Sequence, residues 1–577
     1  MRVPTSTLST FTPGEKPEKR DPLAWLRVAH VCHQWREIAL NQALFWSHVD
    51  FTNVSWAGAT EILSRAKNVP LYLEARVSQC DWNNIQIATF QKELQRRISR
   101  IRHLEINAIP SHLYKTLQAL VSPAPILEHL SLATEQHWPR PFSLPDTLFN
   151  GMTPRLSRLE LRNCDIGWKL PVLRGLTHLE IRSPSKSARP ELAAWLDSLE
   201  DMSRLKTLIL HLASPIAPLV SSPQFDVKRT IALPFLTRLD ILASPRDCAL
   251  ALAHLGLPAL AHLSVATRSR VRGGDDLELL GILPYITLHT NGPQDIQPLQ
   301  SMFIYTGSER VDMLAWSVPD IDFDVRDSSV ILDTMLSARV SLSITNWQRS
   351  SVNINTRTFD AVLAALPLDS LVTLNAPDRT RFKEQVWRSH AQRWRQLRCV
   401  RLGVPAALGF REFVLNDNGE HECSSFPSLI KLGLVDSLSE WTGPRIRDLC
   451  DILKRRVEQG VPLKAVDVRT SNVPDCTTAL QQLSALGVEV WGIPADERPE
   501  TQKPSFTSYY SGVRDLFVQD DSDLDSNIDG YNDDGSEEGS DSDIEDFYDG
   551  FHDVLPHFMT EEEYDEADDV DFYHDTV

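Results

Sequence analysis

Along the chain a short motif recurs, apolar-x-x-apolar-x-apolar. It reads IRHLEI (Ile101, Leu104, Ile106), LEHLSL (Leu127, Leu130, Leu132), LSRLEL (Leu156, Leu159, Leu161) and LTHLEI (Leu176, Leu179, Ile181). It continues as LKTLIL (Leu205, Leu208, Leu210), LTRLDI (Leu236, Leu239, Ile241), LAHLSV (Leu260, Leu263, Val265) and LPYITL (Leu283, Ile286, Leu288). The last two apolar positions are two residues apart, so they point to one face of a short strand. The first apolar residue packs where the chain turns into that strand. Glu105, Glu160, Glu180 and Asp240 lie between the paired positions and face outward. Histidines 103, 129, 178 and 262 precede the second apolar position and read as exposed residues on the strand approach. Between strands the period changes: in ELAAWLDSLEDM, Leu192, Trp195, Leu196 and Leu199 trace a helical stripe.

Strand and helix alternating at 20 to 31 residues per unit is the period of a leucine-rich repeat. One unit cannot bury its apolar face alone, whereas stacked units share a continuous core. Residues 300–350 hold strand-like runs, notably Val340, Leu342 and Ile344, without a clean repeat. The motif returns at Leu371–Leu374, at LRCVRL (Leu397, Val400, Leu402), at LIKLGL (Leu429, Leu432, Leu434) and at LKAVDV (Leu463, Val466, Val468). Residues 445–458 read as a helix with Ile446, Leu449, Cys450 and Leu453 on one face, and Val488–Trp491 as a closing strand. The expected fold class is α/β: an irregular leucine-rich-repeat solenoid, or horseshoe, over residues 56–498, with its first strand near Val69–Leu73.

The N-terminal part has a different texture. Residues 1–21 contain Pro4, Pro13, Gly14 and Pro17 and read as flexible. From residue 25 the chain runs WLRVAHVCHQWREIALNQALFWSHVDF. Leu26, Ala29, Val31, Cys32, Trp35, Ile38 and Ala39 recur at helical steps, and Leu44, Phe45, Trp46, Val49 and Phe51 form a second apolar cluster. The stretch resembles the second half of an F-box, in the version common in large fungal families of F-box-like proteins. The matching residues are Val28, Val31, Cys32, Trp35, Arg36, Ala39 and the Leu44–Trp46 pair. The resemblance implies a small helical module over residues 22–55, ahead of the solenoid. It also implies docking to a Skp-family adaptor through Val28, Val31, Cys32, Trp35, Arg36, Leu44 and Trp46, and through that adaptor to a cullin scaffold. The repeats behind such a module select the protein to be ubiquitylated. The family's first helix carries a Leu-Pro pair, which TFTPGEKPEKRDP at residues 10–22 does not supply. That helix is expected either upstream of Met1 or not at all, with adaptor binding weakened or lost in the second case.

Charge changes the picture only once it is located. The 577 residues carry a formal charge of -20. From Asp515 onward there are 25 acids and no Lys or Arg, so the first 514 residues hold the other 53 acids against all 58 bases. The body is therefore near neutral, and residues 499–577 read as an acidic disordered tail. Ser522, Ser540 and Ser542 each have an acid three residues on, suiting an acid-directed kinase. DDSDLDSNIDG from Asp520 lacks the turn glycine and closing glutamate of a calcium loop.

Little chemistry of other kinds is indicated. Cysteines at 32, 80, 164, 248, 399, 423, 450 and 476 form no close pairs, which suits a reducing compartment, cytoplasm or nucleus. His30, Cys32 and His33 point different ways on a helix, and His421 with Cys423 is equally isolated, so no metal or other cofactor is expected. There is no phosphate loop, nucleophile elbow, zinc-protease helix or dinucleotide fingerprint. No basic cluster points to nucleic acid, and no apolar run is long enough for a membrane span. The expected function is non-catalytic substrate recognition for a cullin–RING ubiquitin ligase; the alternative is a repeat-based interaction scaffold with no ubiquitin role.

Overall fold

The structure is a computed structural model that describes residues 31–491, interrupted by internal segments of which the longest are 320–336 and 468–486. The chain divides into two units, Met1–Gln519 and Asp520–Val577, and every described residue belongs to the first. The tail, residues 1–30 and Val28 among them lie outside the described residues.

The fold is mixed α/β, with helices packed on a large, mostly parallel sheet. Its first half is built from β1 (His48–Asp50), β2 (Leu71–Arg76), β3 (Ile101–Asn107), β4 (His129–Ala133), β5 (Arg158–Arg162), β6 (His178–Arg182) and β7 (Thr207–His211). A separate two-stranded ribbon joins β8 (Ile231–Ala232) to β10 (Leu255–Gly256), flanking β9 (Arg238–Ala243), and β11 (His262–Ser269) follows. Then come β12 (Ser301–Thr306), β13 (Arg310–Trp316) and β14 (Val340–Asn346). The last strands are β15 (Thr373–Ala376), β16 (Cys399–Leu402), β17 (Lys431–Leu434), β18 (Ala465–Asp467) and β19 (Glu489–Trp491).

From β1 to β11 each sheet strand pairs in parallel with its predecessor, leaving out the ribbon. The motif explains why. Leu130, Leu132, Leu159, Leu161, Leu179 and Ile181 are buried, and parallel registers align each with its counterpart on the next strand. The leading leucine closes a turn: the amides of Leu127, Leu156 and Leu205 donate to the carbonyls of Ala124, Thr153 and Met202, three residues back. The strands' far ends repeat as well. Asn163, Ser183 and Leu212 each follow a strand with φ near +50° and donate their amides to Arg182, His211 and Leu242 of the next.

Helices cover the leucine side. Leu192–Asp201 buries Trp195, Leu196 and Leu199 of the expected stripe. The helix expected at 445–458 spans Gly443–Glu458 and buries Ile452 and Leu453. Arginines tie units together by donating to backbone carbonyls in the turn that leads into the preceding unit's strand. Arg100 donates to Val69 O, Arg393 to Leu366 O and the buried Arg456 to Phe426 O, at 3.1, 2.9 and 3.1 Å.

Two expectations need correction. LPYITL is not a strand: Leu283–Thr290 is a helix. Its spacing suits either period, but a strand would place Ile286 and Leu288 on one face. In the structure Ile286 is buried while Leu288 is 67% exposed. Second, the first strand is not the one near Val69–Leu73. β1, inside the opening stretch, pairs in parallel with β2, which itself begins at Leu71. The region read as irregular does hold strands, in an order of its own. β11 pairs with β14, β14 with β13 and β13 with β12, before β12 pairs with β15 and the parallel run resumes to β19. Among the described residues, β13 alone runs against the rest of this sheet.

Candidate functional site

Two surfaces stand out. The first is the opening helix, His33–Asn41, with the 3-10 turn Ala43–Trp46 behind it. Of the helix only Ala39 is buried. Val31 (67%), Trp35 (52%), Ile38 (57%), Leu44 (60%) and Phe45 (48%) are all exposed, a concentration of apolar surface of the kind that marks an interaction site. Cys32 and Arg36 lie beside them, also exposed.

Trp46 is different, and its expected role as a docking residue needs correction. It is 3% exposed, inside the core. Its indole N–H donates to Ala39 O at 3.0 Å, and the Arg65 guanidinium lies 4.6 Å from its ring centroid. Trp46 therefore anchors the opening helix to the sheet, while the other described candidates are exposed. Hydropathy cannot tell Trp35 from Trp46, because both indoles sit in apolar clusters.

The second surface is the sheet face opposite the leucines. Parallel pairing stacks equivalent residues into columns. One column runs His48, Tyr72, His103, His129, Arg158, His178, Thr207, Arg238 and His262. The next runs Asp50, Glu74, Glu105, Ser131, Glu160, Glu180, Ile209 and Asp240. The histidines expected on the strand approach are thus members of the strands themselves. Among them His103, His129, His178 and His262 are half-buried rather than exposed.

The first column begins as a ring stack. His48 lies 4.3 Å from Tyr72 between centroids, Tyr72 lies 6.3 Å from His103, and His103 meets His129 edge-on at 4.2 Å. Burial, with the neighbouring His129 adding to it, pulls His103 down to about 4, so its imidazole is neutral near pH 7. Beyond it charged groups interlock. Glu160 is paired by Arg158 and approached by His129 at 3.4 Å and His178 at 3.9 Å. Glu180 meets Arg182 at 2.6 Å and His178 at 3.7 Å. Arg182 lies 3.2 Å from His211, whose other ring nitrogen is 3.3 Å from the buried Asp240.

Electrostatics separates the two ends of the acid column. Burial raises Glu74, and the charges of Glu105 and Asp50 raise it further. Burial would raise Glu180 as well, but His178 and Arg182 overcome it and hold the carboxyl at about 2. The same balance holds Asp240 below the usual carboxylate range through His211 and Arg238. Reading the motif units down their columns, instead of along each unit, would have exposed these ladders in the sequence.

Among the described residues no helix is long and apolar enough to cross a membrane. No family model matches the chain, and no curated protein matches it either.

Proposed function

We propose that this chain is a non-catalytic substrate-recognition subunit of a cullin–RING ubiquitin ligase. In this reading the opening helix docks a Skp-family adaptor, and a leucine-rich-repeat solenoid presents the target protein on its polar strand face. Ubiquitin transfer belongs to the partners; the chain brings a target close and raises its effective concentration. The observation that supports the docking half is the exposed set of Val31, Trp35, Ile38, Leu44 and Phe45, held in place by the buried Trp46. Large exposed aromatic and aliphatic side chains on a rigid helix are what a partner's groove takes up as anchors. The target half draws on the alternating ring, carboxylate and guanidinium columns of β2–β6, which would select a partner of mixed charge.

The test is retention of a purified Skp-family adaptor by the full chain, compared with a Trp35→Ala, Leu44→Ala double variant. Wild-type protein is expected to retain the adaptor at micromolar concentration. The double variant is expected to lose it at an unchanged melting temperature, because both side chains are exposed. Trp46→Ala serves as the contrasting control, since it removes the anchor and loosens the whole segment. Absence of retention by the wild-type chain would sink the ligase reading and leave an interaction scaffold.

A further inference from the structure

The acid column holds a feature that protein recognition does not require. Across β2 and β3, Glu74 is the register partner of Glu105, and Tyr72 that of His103. The donor atoms of Glu74, His103 and Glu105 all lie within 4.8 Å of one another. The His103 ring is held between Tyr72 and His129, so its direction is fixed before any ligand arrives. Glu160, His178 and Glu180 form a second triad of the same composition and spacing. No other such metal-capable group is found among the described residues.

The two triads differ in what surrounds them. On β5 and β6 the polar-face positions supply Arg158, Arg162 and Arg182 against two carboxylates, and both carboxylates are engaged by guanidinium groups. On β1–β3 the same face supplies Asp50, Glu74 and Glu105 with Arg76 as its cation. Three carboxylates against one guanidinium leave two negative charges, and Glu74 and Glu105 are half-buried. A doubly charged cation closes that imbalance.

We propose that Glu74, His103 and Glu105 bind a divalent transition cation of the zinc class. One imidazole nitrogen and two carboxylate oxygens form a borderline donor set that suits zinc, with manganese as the harder competitor. Ligand bonds of about 2.0–2.2 Å place tetrahedral donors about 3.4 Å apart, which rotation of the two glutamates supplies without backbone movement. The role is structural: the ion ties β2 to β3. The second triad, already neutralised by arginines, binds no cation.

The experiment is zinc titration calorimetry and metal counting after dialysis on the full chain. Wild-type protein is compared with His103→Ala, Glu105→Gln and the paired controls His178→Ala and Glu180→Gln. The acidic tail contributes the same background to every variant, so the difference isolates the site. Wild type and both controls are expected to bind one zinc more than His103→Ala and Glu105→Gln. At the site itself, affinity is expected to fall at least about tenfold. Micromolar zinc should raise the melting temperature of the wild type and the controls only. Glu105→Gln is close to isosteric, so it keeps the test decisive if His103→Ala fails to fold. Equal zinc content in wild type and Glu105→Gln would overturn the assignment, as would loss of the same equivalent from His178→Ala. The inference does not rest on the ligase reading, because adaptor retention and zinc content are read on different variants.

Discussion

The sheet face opposite the leucines carries Tyr72, Glu74, His103, Glu105, Arg158, Glu160, His178 and Glu180 over β2–β6, all half-buried. The same face from β7 to β13 keeps Thr207, Arg238, Asp240 and His262 at its strand starts but adds Ile209, Leu242, Ala266, Phe303, Leu314 and Trp316, each of these six buried. The leucine side barely differs between the two regions. What differs is the alternate residue, which reports whether its face meets water or packing. Where it is polar, the face can receive a partner. Where it is apolar, the strand is buried on both sides and serves the fold.

That contrast can be broken most directly at Phe303, which is 1% exposed on the face of β12 opposite the leucines. Phe303→Ala is expected to cost about 3–5 kcal/mol in urea unfolding. A loss below about 1 kcal/mol would show that this face is not packed and that the two regions are alike.

Acid unfolding sharpens the polar side. Glu180 is held at about 2 in the folded protein against 4.5 for the free side chain. A carboxylate depressed by folding stabilises above its unfolded value, and the stabilisation is lost as pH falls toward the folded one. Wild type is therefore expected to exceed Glu180→Gln by at most about 3 kcal/mol above pH 4.5, with the gap closing toward pH 2. A pH-independent gap would mean that His178 and Arg182 do not set the charge of Glu180.

The smallest expected effect is at the strand ends. Leu212 has φ +58° at the position where the earlier units place Asn163 and Ser183. Leucine is poorly suited to that left-handed conformation, so Leu212→Asn is expected to gain about 0.5–1 kcal/mol in thermal unfolding. No gain would mean that Leu212's packing outweighs its backbone strain.

These effects also mark how far the sequence could be read. The motif located β3 to β7, β9 and β11 because Leu-x-Leu within an amphipathic strand is a local signal. LPYITL escaped because three- and two-residue spacings coexist in it, and only Leu288 facing water decides between them. β12 and β13 escaped for another reason: SMFIYT and RVDMLAW pack on both faces, so alternation is absent where it would be sought. At the candidate site, Trp35 and Leu44 were legible as apolar residues on a short segment. Trp46 was misassigned because burial is set by what β1 and the helix Trp56–Arg65 bring to it from later in the chain. The acid and ring columns were visible as single outward residues, while their joining depends on registers that no single unit encodes.

The reversed order around β13 has a consequence for synthesis on the ribosome. Up to β11 each new sheet strand finds its neighbour already made, so the sheet can grow as the chain emerges. β11 also docks on β9, but its other edge must wait for β14, and His262 bonds the carbonyl of Ala338 76 residues further on. At about 5–20 residues per second, that delay lasts on the order of 4–15 s. Throughout it the nascent protein holds an open parallel edge, and chaperone capture or edge-to-edge aggregation would act in that interval.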